Sequence, residues 1–191
     1  MLMGGSALKG LLADTPVVAA VKDDAGLKKC LESEVDVVFV LYGDVVTISD
    51  IVDQIKSAGK LAMVHIDLIH GLKSSEVAVD FIKKYTRADG IISTKTPVIL
   101  HARQLGLHTV MRFFVLDSMA LSSMEKQVKN ARPEVVEIMP SLMPAKVKKI
   151  CGMVKQPVIV GGLVSDRDDV EELLSAGATS ISASNPDLWV M

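Results

Sequence analysis

Apolar and polar residues follow one another along the chain in a repeated order. Short apolar runs rich in β-branched residues are each followed by a polar turn and a segment with helical spacing of its apolar positions. Eight such runs begin near Pro16, Val37, Leu61, Gly90, Thr109, Val135, Pro157 and Ser180. The pattern predicts eight β-strands that alternate with helices.

Several of these runs have no polar face, and residues 37–41 are all apolar. Strands covered by helices on both sides have this character, which favours parallel βα units over an antiparallel meander. Eight βα units predict an α/β protein, a compact (β/α)8 TIM-like barrel. The loops must be short, because 191 residues is just below the usual lower limit of ~200 for this fold. An open doubly wound sheet is the alternative, but its phosphate site lies at the first βα turn.

Local signals place the ends of several helices. Glycine at Gly59, Gly106 and Gly177 is typical of the residue that follows a helix. Capping-box spacing, which is typical of a helix start, is found in Thr47 with Asp50, Ser122 with Glu125 and Ser165 with Asp168. No linker or low-complexity run interrupts the pattern. We therefore expect one domain over residues 1–191, with residues 1–14 as an N-terminal extension or short leading segment.

Composition narrows the class of protein. Hydrophobic residues make up 49% and charged residues 23% of the chain, as in ordinary folded soluble proteins. No signal peptide and no run of ~18 apolar residues is visible, so we expect a cytoplasmic protein without a membrane partner. The net charge of −2 implies that any nucleic-acid surface is local. Cys30 and Cys151 have no metal-ligand spacing with the four histidines, so we expect reduced thiols and no metal.

A glycine pair, Gly161 and Gly162, follows the seventh predicted strand, and Ser182 and Ser184 follow the eighth. Glycine lets backbone N–H groups approach a ligand closely, and serine hydroxyls add hydrogen bonds. Asn185, before a proline, is predicted to cap a short helix whose N–H groups point the same way. The spacing predicts a phosphate clamp on the last two strands. Each loop alone is also explained as a tight turn or a helix cap.

Polar residues also stand at the carboxyl ends of the other predicted strands, where TIM barrels bind ligands. They are Lys22, His65, Asp67, Lys95, Arg112 and Glu137. His65 and Asp67 lie on one side of the third strand if it stays regular to its end. Arg112 is flanked by apolar residues, so it needs an acid or an anion as partner.

Each of these residues also has a purely structural interpretation. Arg112 and Glu137 are alternatively a buried ion pair between strands. His65 is alternatively a hydrogen-bonded structural histidine. Lys95 acts as a Schiff-base nucleophile only if it is desolvated, and the sequence shows no sign of that.

Five segments in a fixed order carry a resemblance to a known family. They are HIDLIHGL at 65–72, GIISTK at 90–95, RFFVLDS at 112–118, EIMP at 137–140, and the glycine pair with Leu163 through to Leu188 and Trp189. From Pro16 to the C-terminus, the chain resembles the glycerol-3-phosphate responsive antiterminators of Gram-positive bacteria. Two positions depart from the family pattern, Ser141 in place of a glycine and Ala183 in place of a threonine.

The resemblance implies a TIM-barrel regulator that binds glycerol 3-phosphate and acts on the leader messenger RNA of glycerol-utilisation operons. It implies neither catalytic residues nor a cofactor, and the oligomeric state stays open. In this interpretation Gly161, Gly162, Ser182 and Ser184 hold the phosphate, with Arg112 or Lys22 adding charge. Asp67 and Glu137 accept hydrogen bonds from the glycerol hydroxyls.

Three basic clusters on predicted outer helices are the candidate RNA surface. Lys126, Lys129 and Arg132 form the first, Lys146, Lys148 and Lys149 the second, and Lys83, Lys84 and Arg87 the third. The first two lie on neighbouring helices, so we prefer them as one patch, although ordinary solvated helix faces have the same composition. A small phosphosugar isomerase, lyase or synthase is the competing function, because many such enzymes share the phosphate clamp. A ligand sensor that acts through a protein partner is a third.

Overall fold

A computed structural model describes residues 4–141 and 143–190 of the chain. Its eight strands all run parallel and close into a barrel in the order β1 to β8. The strands are β1 Val17–Val21, β2 Val37–Val40, β3 Leu61–His65, β4 Gly90–Ser93, β5 His108–Phe114, β6 Val135–Met139, β7 Val158–Gly161 and β8 Ser180–Ala183. The predicted strand starts agree to within one residue, so the predicted (β/α)8 TIM-like barrel is confirmed.

Helices surround the barrel. They are α1 Gly4–Asp14, α2 Asp24–Glu32, α3 Ile48–Ser57, α4 Glu76–Tyr85, α5 Thr96–Gln104, α6 Ser118–Ala131, α7 Pro144–Met153 and α8 Arg167–Ser175. Helices α2 to α8 connect consecutive strands, whereas α1 precedes β1. In the described part of the chain, β8 is followed only by a short 3-10 turn at Pro186–Leu188. A second 3-10 turn, Ile66–Leu68, follows β3.

Two layers of apolar side chains fill the molecule. One lies between the strands and the outer helices. The other fills the inside of the barrel, with Phe39 and Met63 among its fully buried members. Leu8 and Leu12 of α1 belong to this inner layer and are fully buried. Residues 4–14, part of the expected N-terminal extension or short leading segment, therefore form a helix that completes the barrel core.

Helix ends follow the sequence signals in part. Gly59, Gly106 and Gly177 have φ values of 77°, 71° and 106° just beyond the ends of α3, α5 and α8, as predicted. Two predicted starts are wrong. Asp117 caps α6 and Asp166 caps α8, each accepting a backbone N–H through its side chain. Aspartate is as good a cap as serine, and the capping-box spacing alone does not choose between neighbouring candidates.

Both cysteines lie in helices, Cys30 in α2 and Cys151 in α7, and neither forms a disulfide. Burial is the main reason that the pKa of Cys30 rises to about 11, and burial also raises the pKa of Cys151. Both thiols therefore stay protonated at neutral pH. None of the described helices is long and apolar enough to cross a membrane.

Candidate functional site at the carboxyl end of the barrel

A buried ion pair lies inside the barrel near its carboxyl end. Arg112 of β5 and Glu137 of β6 are register partners. Nε of Arg112 donates to Oε2 of Glu137 at 2.6 Å, and Nη2 donates to Oε1 at 3.2 Å. From β8, the hydroxyl of Ser182 donates to the same Oε1 at 2.7 Å. Three strands are thus connected by one carboxylate.

The buried ion pair that the sequence left open as an interpretation of Arg112 and Glu137 is thus formed. Glu137 is fully buried, and both of its oxygens already accept hydrogen bonds from protein groups. The expected contact of Glu137 with a glycerol hydroxyl stays a prediction. Glu137 holds the guanidinium of Arg112 in place, and Ser182 in turn holds Glu137.

A cavity of about 90 Å³ opens next to this pair. Its polar lining comes from four strands and the segments that follow them: Lys22, Arg112, Gly162, Ser182 and Ser184. Nζ of Lys22 donates to the hydroxyl of Ser184 at 2.9 Å across its edge. The fold thus brings together five of the predicted phosphate and pocket residues in one place.

The two glycines of the predicted clamp serve different purposes. A Cβ at Gly161 would overlap the Ser182 hydroxyl and lie 3.3 Å from Oε1 of Glu137, so this glycine makes room for the buried ion pair. Gly162 lines the cavity and has a φ of 74°, which glycine adopts at no steric cost. Leu163 follows with a φ of 61° although it has a side chain. This left-handed conformation costs about 1–2 kcal/mol, and such strain is often found at functional sites.

Asn185 does cap a turn, since its side chain accepts the N–H of Asp187. However, this turn is a three-residue 3-10 helix, and the N–H groups of Leu188 and Trp189 donate to backbone carbonyls within it. The expected set of unpaired N–H groups pointing at an anion is therefore not formed. The turn instead positions Trp189, whose indole donates to the carbonyl of Ala183 at 2.8 Å.

Asp67 lies in the 3-10 turn after β3, so the third strand does not stay regular through this residue as we expected. Its carboxylate accepts from the hydroxyl of Ser93 and from both the N–H and the hydroxyl of Thr94. Burial raises the pKa of Asp67, but these hydrogen bonds, together with nearby His65, outweigh burial and lower it. Asp67 therefore fastens the end of β3 to the end of β4 as a carboxylate.

His65, the last residue of β3, is almost completely buried. Burial is the main cause that lowers its pKa to about 4, and the positive charge of Arg112 adds to the effect. The imidazole is therefore neutral at physiological pH. Among the described residues, none forms a hydrogen bond with Nδ1, although this atom is buried.

The remaining positions named in the sequence differ in exposure. Lys95 is exposed at the start of α5 and does not line the cavity. At the first departure from the family pattern, Ser141, the backbone N–H donates to the carbonyl of Gly162 at 2.9 Å. At the second, Ala183, the residue is buried and lines the cavity.

Thr94 and Leu163 were not predicted as parts of the site. Thr94 was detectable as a hydroxyl residue at the end of the strand next to Asp67. Leu163 was not detectable, because no local signal predicts a leucine with positive φ. A second cavity of about 260 Å³, which shares Lys22 and Ser184 with the first, was also missed.

The basic residues of the preferred RNA patch are all exposed on or just after α6 and α7. They are divided between two cavities and the outer helix faces. Lys146 and Lys149 line a cavity of about 380 Å³, and Lys129 and Arg132 line another of about 470 Å³. Lys126 and Lys148 line neither.

This geometry defines a (β/α)8 barrel protein with a small, positively charged cavity at the carboxyl ends of its strands. The family model described as "Glycerol-3-phosphate responsive antiterminator" matches residues 17–189. The chain belongs to this family. The sequence resemblance to it is thereby confirmed.

Individual relatives agree. The chain is 41% identical over 181 residues, 95% of each sequence, to the uncharacterized protein YgcP of Escherichia coli K12. It resembles the crystal structure of the glycerol uptake operon antiterminator regulatory protein of Listeria monocytogenes, with a TM-score of 0.87, 29% identity and coverage of 91% and 94%. A related antiterminator-like protein of Thermotoga maritima has a TM-score of 0.83, 32% identity and coverage of 93% and 99%.

More distant structures share the barrel. Deoxyribose phosphate aldolase of Aeropyrum pernix has a TM-score of 0.69 at 13% identity, with coverage of 98% of this chain and 94% of the aldolase. At this identity the similarity concerns the fold alone.

Proposed function

We propose that the protein is a regulator that binds glycerol 3-phosphate at the carboxyl end of its barrel. In the bound state it acts on the leader messenger RNA of glycerol-utilisation operons and prevents premature termination. Membership of the antiterminator family supports this proposal, as do the names of the Listeria and Thermotoga relatives. The observation that carries the ligand part is the buried guanidinium of Arg112, held by Glu137 at the wall of the cavity.

Arg112 has donor capacity left for an anion. Its Nε and Nη2 donate to Glu137, while Nη1 has no acceptor among the described residues. Because Glu137 and Ser182 fix the guanidinium, no side-chain ordering is needed when a ligand binds. Preorganised, charge-assisted hydrogen bonds of this kind are the strong ones in phosphate recognition.

Lys22 and Ser184 complete the proposed phosphate site. Ser184 accepts a hydrogen bond from Lys22, so its own hydroxyl proton is available to a phosphate oxygen. Lys22 keeps two further protons for the same purpose. Gly162 lets the ligand approach the backbone, whereas Ser182 and Gly161 act indirectly by supporting the ion pair. His65 does not line the cavity, so its contact with a glycerol hydroxyl is proposed only on its neutral imidazole and its position near Arg112.

The same geometry supports a binding protein over an enzyme. A Schiff-base lysine needs desolvation, but Lys95 is exposed. The carboxylates of Glu137 and Asp67 are occupied by protein donors, so neither is placed to move a proton. A small phosphosugar enzyme remains the competing candidate, and a turnover assay with phosphorylated sugars separates the two.

The first test is calorimetric titration and thermal shift with glycerol 3-phosphate, with glycerol and inorganic phosphate as controls at equal ionic strength. At ~100 times the dissociation constant, the ligand adds roughly 2.7 kcal/mol of stability. For a domain of this size, the melting temperature should rise by about 5–10 °C. An equal rise with inorganic phosphate, or no rise at millimolar ligand, would contradict the proposal.

Two lysines at the same end of the barrel provide a matched pair of variants. Lys22→Met removes a charged donor from the cavity and should weaken glycerol 3-phosphate binding by roughly 10- to 100-fold, the equivalent of 1.5–3 kcal/mol. Lys95→Met removes an exposed lysine outside the cavity and should leave the affinity within about twofold. Equal losses in both variants would indicate a general electrostatic effect instead of a defined site.

The RNA part is tested separately, by binding of a labelled glycerol-operon leader RNA with and without glycerol 3-phosphate. The proposal expects tighter binding when the ligand is present. A protein that binds glycerol 3-phosphate but no leader RNA would instead be a sensor that acts through a protein partner.

A further inference from the structure

Two cavities lie along α6 and α7 on the outside of the barrel. One, near the carboxyl ends of the strands, has a volume of about 380 Å³. The other, lined by the last turns of both helices, has a volume of about 470 Å³. We call them the upper and lower parts of the α6–α7 groove. The upper part is lined by Val115, Leu116, Asp117, Ser118, Leu121, Met143, Lys146, Lys149 and Ile150, and the lower part by Glu125, Val128, Lys129, Arg132, Met153, Val154, Lys155 and Gln156.

The upper part of this groove has an exposed apolar lining. Leu116 is 76% exposed and Met143 is 67% exposed, one on each side of the groove. Val115 and Ile150 continue the apolar surface inward and are buried. Apolar side chains grouped in this way are typical of a surface that a partner covers.

Charges along the groove identify the kind of partner. Five cations and two carboxylates line it. Both carboxylates are engaged by protein groups: Asp117 accepts the N–H of Ala120, and Glu125 pairs with Lys129 at 2.7 Å. The remaining cations, Lys146, Lys149, Arg132 and Lys155, extend over the whole length of the groove on a chain whose net charge is −2.

We propose that the α6–α7 groove binds a single-stranded segment of RNA. The lysines and the arginine contact phosphates, and unstacked bases lie against Leu116 and Met143. Single strands present a charged backbone and flat apolar bases together, which is the combination that this groove matches. A second copy of the chain fits poorly, because a twofold contact would place these cations against themselves. The inference rests on the proposed function and assigns its RNA contact to a place.

A backbone hydrogen bond connects this groove to the proposed effector cavity. The N–H of Val115, which lines the groove, donates to the carbonyl of Met139, which lines the cavity, at 2.9 Å. A ligand that repositions Met139 therefore acts directly on a wall of the groove.

The test compares two double variants of equal charge change in the presence of glycerol 3-phosphate. Lys146→Ala with Lys149→Ala removes two groove cations, and Lys9→Ala with Lys28→Ala removes two exposed cations from α1 and α2, outside every candidate RNA cluster. Each lost phosphate contact lowers the dependence of log K on log salt by about 0.7 for single strands. The groove variant should therefore lose about 1.4 from this slope and bind leader RNA at least 10-fold more weakly, whereas the control variant keeps both values.

A third variant separates the apolar contacts from the charges. Leu116→Ser with Met143→Ser should weaken RNA binding by about 10-fold without changing the salt slope, because it removes no charge. The rise in melting temperature caused by glycerol 3-phosphate serves as the folding control. All three variants should retain it.

The outcomes distinguish this inference from the proposed function. If the unaltered protein binds leader RNA and both groove variants behave like the Lys9 and Lys28 control, the groove assignment is wrong while the function stands. If the unaltered protein binds no leader RNA, the RNA part of the function fails as well. Unchanged RNA binding together with altered sedimentation of the groove variants would make the groove a contact between copies of the chain.

Discussion

The two ends of the barrel are built from the same eight strands, yet they differ in chemistry. At the amino end, Leu8 and Leu12 of α1 fill the barrel with apolar side chains. At the carboxyl end, the inner positions of β5, β6 and β8 carry Arg112, Glu137 and Ser182, and a cavity opens beside them. Apolar packing fills the closed end, whereas the open end combines a buried ion pair with a cavity.

The polarity of a parallel barrel explains this division. All strands point the same way, so the loops that follow them gather at one end and are free to vary around a ligand. The opposite end has no such role and is closed by a helix. A side chain changed at the amino end should therefore alter stability alone, whereas one changed at the carboxyl end should alter both stability and ligand binding.

Glu137→Leu should produce the largest effect. It leaves Arg112 buried without a counter-charge, which costs about 3–5 kcal/mol of unfolding free energy. Urea denaturation measures the loss. Arg112→Met combined with Glu137→Leu should regain most of the stability, because an apolar pair replaces an ion pair. Failure of the double variant to recover would indicate that Ser182 or the cavity needs the carboxylate itself.

Leu12→Ala tests the closed end. Removing a fully buried leucine side chain should cost about 2–5 kcal/mol in the same urea experiment. Lys9→Ala, at an exposed position of the same helix, should change stability by less than ~0.5 kcal/mol. Neither variant should alter the affinity for glycerol 3-phosphate. A loss of affinity in Leu12→Ala would show that the two ends are coupled.

The pH dependence of stability tests His65. The unfolded chain takes up a proton near pH 6.5, whereas the folded pKa is about 4. Stability should therefore fall by about 3 kcal/mol as the pH is lowered from 6.5 to 4. His65→Phe should remove this decline, and His70→Gln, at an exposed histidine, should retain it. Asp67 acts at lower pH, because its pKa is lowered in the folded protein. Its contribution to stability is present above the ordinary pKa of a carboxyl group and is lost as the pH falls through the folded pKa.

Gly161→Ala should give the smallest of the four effects. The added Cβ overlaps the Ser182 hydroxyl, and overpacking of this kind costs about 1–3 kcal/mol. Combining it with Ser182→Ala removes the overlapping oxygen and should recover part of the loss, so a double-mutant cycle measures the coupling. If the two changes simply add, Gly161 is required by the backbone and not by its contact with Ser182.

Strand positions were highly predictable from the sequence. The starts of β2, β3, β4, β6 and β8 coincide with the predicted residues, because buried parallel strands are continuous apolar runs between polar turns. Helix starts were predicted less well than strand starts, and those of α6 and α8 were wrong. Several residues near each start are able to cap, and the backbone path selects one of them.

The candidate site was predictable as a list of residues, but not as a set of roles. Lys22, Arg112, Gly162, Ser182 and Ser184 do line one cavity. Glu137 is the buried partner of Arg112, and its expected contact with the ligand stays a prediction. Asp67 is occupied by Ser93 and Thr94 of the neighbouring strand end, and Lys95 stays outside. Each of these outcomes depends on contacts between distant parts of the chain.

The sequence alone was therefore sufficient for the barrel, the order of its strands, the family and the end at which polar residues collect. These follow from periodicity and from short motifs, which are local properties. The tertiary structure was needed to show that α1 completes the core, that Arg112 pairs with Glu137, and that a basic groove lies beside the cavity. Closure of the barrel brings residues from different strands within hydrogen-bond distance, and burial then determines which charges are paired and which remain available to a ligand.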